Sequence, residues 1–196
     1  MTDDIQGSQS EGNVDTAESR LSPEAVLETL SAQTEEVAMF PGSMREEWFF
    51  SYDVLMEQTM ISRFVKKMNV SKVVSLPHYR LVWPFYYPPQ GTALPSLERT
   101  NQPEDVVWGL IFSCRGKSFR DLERYLRVPN RYHRSAIQVQ DRGGRRFPAF
   151  TYVLSRQDDV PPKPSPEYVT QLIEVARERE LPDEWLDRLA QIEVTD

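Results

Sequence analysis

A single cysteine, Cys114, excludes an internal disulfide in this 196-residue chain and leaves no thiol pair for redox chemistry. It sits in the apolar run VVWGLIFSC and reads as a small buried hydrophobe, in a protein of a reducing, cytoplasmic compartment. Only two histidines occur, His78 and His133, far apart, with no cysteine cluster or His-x-x-x-His spacing beside them. No metal site and no cofactor is therefore expected. A Gly-x-Ser-x-Gly turn is also missing, so nothing hosts a serine nucleophile. No run approaches the ~18 apolar residues of a membrane span, and the start MTDDIQGSQSEGN has no charged-then-apolar leader pattern. Positive charge is in the minority, with a net charge of −7, which argues against a partner read through its phosphate backbone. The one basic cluster, RGGRR at 142–146, reads as a hairpin turn with solvated ends.

What is present suits one domain with a tail. Residues 1–20 are polar and acidic and read as a flexible tail, and 21–46 as a helix with a linker: Ser22-Pro23-Glu24 starts the helix, Val26, Leu27 and Leu30 form its stripe, and Pro41-Gly42 ends it. Residues 47–192 carry the folded domain. WFF at 48–50 is a first strand, and a helix is expected over 57–68, with Met60, Ile61, Phe64 and Val65 at helical spacing. Further strands are read at 70–76, 79–83, 106–114, 135–140 and 147–154, rich in β-branched and aromatic residues. Pro84, Pro88, Pro89 and Pro95 read as breaking the stretch after Trp83 into a long loop. The aromatic WPFYYPP at 83–89 is then a packed connection, a lid, or a homodimer surface. SFRDLERYL at 118–126 is a helix, and two more begin at Ser165-Pro166 and Leu181-Pro182-Asp183, after a polar, proline-rich arm. The expected class is α+β: a sheet of five or six strands with peripheral helices.

The turn SYDVLM at 51–56 is where a strand runs into a helix, a place where backbone N–H groups commonly face a ligand. The order of features around it, a Tyr-x-x-Leu-Met turn at 52–56, then VVWGLIF, FRDLERYL, RYHRSAIQV, AFTYVLS and the ending PSPEYVTQLIEVARERELPDEWLDRLAQI, resembles the gamma-glutamylcyclotransferase family. The resemblance covers about residues 47–192, and Pro-Ser-x-x-Tyr followed by Leu-Pro-x-x-Trp is its most specific piece. It implies a small mixed β-barrel with one pocket beside the first turn. It also implies a reaction in which the α-amine of a γ-glutamyl group attacks its own γ-carbonyl, 5-oxoproline forms and an amine leaves. One carboxylate moves the proton, and the turn's backbone donors hold the substrate.

Two departures from that pattern matter. The family's turn is Tyr-Gly-Ser-Asn-Leu or Tyr-Gly-Thr-Leu-Met; here Asp53 stands for the glycine and Val54 for the hydroxyl residue. A fixed negative charge is thereby placed where a substrate carboxylate would approach. The family's catalytic glutamate, in Leu-Asp-x-x-Glu-Gly, is matched by Leu126, which cannot transfer a proton; losing such a group removes ~10²–10⁴ of rate. Asp53 and Glu123 are then the candidate proton carriers, with Glu57 in reserve, and Glu123 also fits as a replacement for the family's structural aspartate. Tyr52, Val54, Leu55, Met56, Tyr125, Leu126, Tyr132 and Tyr152 are the candidate binding residues. Three functions follow: proton-transfer chemistry on a small, rather apolar metabolite, a residual gamma-glutamylcyclotransferase, or a non-catalytic binding or scaffold protein.

Overall fold

The computed structural model describes residues 46–115 and 119–196. The expected tail, the helix read from Ser22-Pro23-Glu24 and the Ser118 start of the later helix lie outside them. No helix among the described residues is long and apolar enough to cross a membrane.

Five strands close into a barrel in the order β1 (Glu46–Ser51), β5 (Val106–Arg115), β2 (Asn69–Pro77), β6 (Tyr132–Gln140), β7 (Arg146–Leu154). Most neighbours are antiparallel, while β1 meets β7 in parallel through a single register pair, Phe49 with Phe150. The mixed barrel and its peripheral helices are thus an α+β fold, as the residue pattern implies. Two seams carry few ladder bonds, β1–β7 and β2–β6. Side chains reinforce both: Thr151 Oγ1 donates to Phe50 O at 2.8 Å across the first, and Ser75 Oγ to Gln140 O at 3.2 Å across the second.

Phe49 is the hub of the barrel's aromatic cluster, within 5.5–6.3 Å (ring centroids) of Phe112, Phe119, Phe150 and Tyr152. Each such pair adds about 0.5–1.5 kcal/mol beyond area burial. On the opposite parity of β1, the Phe50 ring lies across β5 at Gly109. A Cβ there would stand 2.2 Å from Ser51 O and 2.8 Å from the ring, so only glycine lets the two strands approach.

The proline-rich stretch is not a loop. Strands β3 (Tyr79–Tyr87) and β4 (Thr92–Arg99) form a separate two-stranded sheet, joined by a 3₁₀ turn at Pro88–Gln90 that ends in left-handed Gly91. The register slips between Val82 and Phe85, so Pro84 and Pro95 fall at the irregularity, where no ladder N–H is needed. The expected helix over 57–68 is also shorter. A 3₁₀ turn at Val54–Met56 leads into α1 (Gln58–Ile61), after which Arg63 and Phe64 make tight i→i−3 bonds. Those turns bury Val65 completely and let Phe64 stack on Tyr125, contacts that outweigh the local helical pattern.

The remaining helices are α2 (Arg120–Leu126), α3 (Pro166–Glu178) and α4 (Asp183–Ala190). Phe119 and Leu122 anchor α2, which stops at Arg127 in a left-handed conformation. Ser165 caps α3 by accepting from Tyr168 N, with Pro166 in the first turn, and Val169, Leu172 and Ala176 face inward. Arg179, at the far end of α3, donates from Nε to Met56 O, tying this helix to the turn after β1. Replacing Gly109 with alanine is expected to cost about 3 kcal/mol or more, read as a lower urea midpoint, because backbone rather than a flexible side chain must yield.

Candidate active site

The turn after β1 is fixed by its own polar groups. Tyr52 is buried and donates its hydroxyl to Tyr152 O at 2.8 Å, carrying the chain out of the barrel. Asp53 then adopts an extended backbone (φ −126°), so the absence of glycine costs no strain here. Its Oδ1 accepts from Leu55 N at 2.9 Å and from Ser51 Oγ at 3.3 Å, capping the 3₁₀ turn. The N–H groups of Met56 and Glu57 are taken by Asp53 O and Val54 O. The N–H groups of Leu55, Met56 and Glu57 are thus spent within the chain.

Beside it lies a cavity of about 310 Å³. Of the residues singled out in the sequence, Asp53, Val54, Leu55, Tyr125, Leu126 and Tyr132 line it. Tyr52, Met56 and Tyr152 are buried and are not on the lining. Glu123 is also off the lining: its Oε1 accepts from Tyr152 Oη at 3.1 Å and lies 3.8 Å from Arg134 Nη1. Arg134 in turn meets the buried Glu47 at 2.9 Å, an ion pair not aligned as a hydrogen bond, and its guanidinium covers the Phe150 ring. Glu57 contacts Thr59 instead of the cavity.

Ten of the sixteen lining residues were not legible as site. The β3–β4 hairpin brings Tyr87, Gln90, Thr92 and Leu94, and the first turns of α3 bring Ser165, Glu167, Tyr168 and Gln171. Ser165 and Tyr168 belong to the Pro-Ser-x-x-Tyr piece already visible in the sequence, the one signal that pointed there. Together with Met60, Arg131 completes the wall. It donates to Tyr125 O at 2.7 Å and Leu126 O at 3.3 Å, at the C-terminal end of α2, and stacks 4.6 Å from the Tyr87 ring centre.

Burial is what shapes the electrostatics. It raises the Asp53 carboxyl from 3.8 to about 6, opposed in part by the bonds from Leu55 and Ser51. Burial also raises the Tyr132 and Tyr168 phenols, with the Asp53 charge adding to both, so they remain protonated donors at neutral pH.

A closed mixed barrel with a cavity at the turn after its first strand is the gamma-glutamylcyclotransferase-like fold, so the resemblance read from the sequence is shown at the level of fold. Residues 106–189 match the AIG2-like family. Among solved structures, the chain is similar to one titled "Gamma-glutamyl cyclotransferase", with TM-score 0.70 and 19% identity over 78% of this chain and 90% of that one. It is similar also to protein loc79017 from Homo sapiens, with TM-score 0.67 and 20% identity over 77% and 90% of the two chains. YkqA from Bacillus subtilis follows with TM-score 0.61 and 13% identity, over 77% of this chain and 56% of that one. No curated protein matches the chain in sequence.

The raised Asp53 carboxyl has a consequence for stability. At about pH 3 and below it is neutral both folded and unfolded; through the interval up to about 6 the unfolded chain gives up its proton first, so stability falls as pH rises. Above that interval the buried charge costs at most about 3 kcal/mol. Asp53→Asn keeps the capping oxygen and never ionises. Urea unfolding is expected to give equal stabilities at pH 3 and a more stable variant at pH 8; parallel curves would contradict this.

Proposed function

We propose that this chain is a diverged gamma-glutamylcyclotransferase-like enzyme. In this reading it binds a small molecule in the cavity beside Asp53 and transfers a proton there, in a cyclisation, isomerisation or elimination other than ordinary release of 5-oxoproline. The observation that carries the reading is Asp53 itself: a carboxylate on the cavity lining, held by Ser51 and Leu55, with its pKa moved to about 6. A base of that strength is ionised at neutral pH yet strong enough to accept a proton in a transition state. Leu126 lines the same cavity, so the group that the resemblance would make the proton carrier is replaced by an apolar surface. Val54, Leu55 and Leu94 extend that surface and seat the apolar body of the substrate.

The chemistry runs from these groups. Asp53 takes a proton from the substrate and returns it to the atom that must leave or be reprotonated. Tyr132 and Tyr168, kept neutral by burial, donate hydrogen bonds to the atom that gains negative charge. Glu123, engaged by Tyr152 and near Arg134, acts as a positioning group that holds α2 against the barrel, and takes no part in proton transfer.

The test is loss of turnover without loss of fold. A mixture of amines, amides and γ-glutamyl compounds incubated with the wild type is expected to lose specific components. Asp53→Asn, which preserves the cap, should consume them ~10²–10⁴-fold more slowly. Because the ionised carboxylate is the base, kcat/KM should rise with pH through about 6 and then level off. Equal turnover by the variant, or none from the wild type across the mixture, would sink the reading. Asp53-dependent appearance of 5-oxoproline would replace it with a residual gamma-glutamylcyclotransferase.

A further inference from the structure

We propose that the Asp53 cavity selects an organic ammonium ion, an amine with an apolar body whose positive charge rests against Asp53 and the tyrosine rings, over neutral or anionic ligands of the same shape. The proposal rests on the reading of this cavity as a ligand site and is independent of any proton transfer in it.

The first argument is the state of the turn. A turn that holds an anion presents unspent N–H groups. Here Leu55 N is taken by the Asp53 carboxylate, and Met56 N and Glu57 N by carbonyls of the turn. Asp53 thus occupies, from within the chain, the place an incoming carboxylate would need, and its charge repels a second anion. Among the described residues no ion pair reaches it. Burial raises its carboxyl, and no basic side chain is among the causes that oppose this.

The rest of the lining points the same way. Among the lining residues Arg131 is the one basic side chain, and it is directed to the carbonyls of Tyr125 and Leu126. Glu167 contributes a second carboxylate. Four lining residues are tyrosines, Tyr87, Tyr125, Tyr132 and Tyr168, whose ring faces attract cations. The chain already uses them so, holding the Arg131 guanidinium 4.6 Å from the Tyr87 ring centre and 5.7 Å from that of Tyr132. Tyr125 is stacked on Phe64 through one face, which leaves the other for a ligand. With Val54, Leu94 and Leu126 beside these groups, the cavity offers one wall to a cation and another to hydrocarbon.

Choline and 3,3-dimethylbutan-1-ol have the same shape and differ in charge, and the quaternary nitrogen carries no proton, so their binding is separate from turnover. Titration of the full chain at pH 8 is expected to give at least ~10-fold tighter binding of choline, and no binding of glutarate at the same concentrations. The preference should shrink toward unity at pH 5, where Asp53 is protonated, and in Asp53→Asn. Tyr125→Leu removes one ring face from the lining and should weaken choline more than the alcohol. Equal binding of choline and the alcohol, preferred binding of glutarate, or a choline preference untouched in both variants would overturn the proposal. Equal binding together with Asp53-dependent turnover would remove this inference alone and leave the catalytic reading standing.

Discussion

The seam between β1 and β7 is the constraint on which the rest of the molecule depends. Two parallel strands meeting at one register pair cannot hold a barrel closed by ladder bonds alone. Packing does the work: Phe49 meets Phe150 and Tyr152 across the seam, Phe112 and Phe119 close over it, and Thr151 and Tyr52 add hydrogen bonds to backbone oxygens of the facing strand. Because Tyr52 is both the last clamp of the seam and the residue before Asp53, closing the barrel also aims the turn at the cavity. The glycine at 109 serves the same end from the other side, letting β5 come close enough to β1 for Phe50 to lie across it.

In the function proposed for this cavity, Asp53 removes one chemistry and makes room for another. Its carboxylate satisfies the Leu55 N–H of the turn, and the same burial that strengthens this bond raises its carboxyl. In the proposed function the structural cap is also the base, since a carboxylate held rigidly and partly out of water is one whose pKa rises. The second charged network, Glu47 with Arg134 and Glu123, stands apart from the cavity lining and spans β1, β6 and α2. A buried arrangement of this kind specifies geometry more than it adds stability.

Sequence reading succeeded where a local pattern and its tertiary setting agree. The strands at 106–114 and 147–154 and the helices begun by Ser165-Pro166 and Leu181-Pro182 stand where the pattern put them, within a residue or two, while the strand read at 135–140 begins three residues earlier, at Tyr132. It failed where the setting overrode the pattern. Pro84 and Pro95 argue against strand, yet they fall opposite each other at a register slip that frees both from the ladder. Phe64 and Val65 continue the helical spacing of Met60 and Ile61, yet they lie in tight turns beyond α1, where Val65 is fully buried and Phe64 stacks on Tyr125. These two failures shaped the site reading: a hairpin taken for a loop concealed Tyr87, Gln90, Thr92 and Leu94 as a wall.

The residues alone determined the class of fold, because hydrophobic periodicity, capping residues and their order are local properties that survive without coordinates. They also marked Asp53 and Leu126 as the positions where this chain departs from the pattern it resembles. Only the tertiary structure decided which groups meet. It set Asp53 and Leu126 on one cavity, turned Glu123 toward Tyr152 and Arg134, and brought Arg131 and Tyr168 to the wall from elements far apart in sequence. Such a meeting is fixed by barrel closure and helix docking, and those depend on long-range packing that no short stretch of sequence encodes.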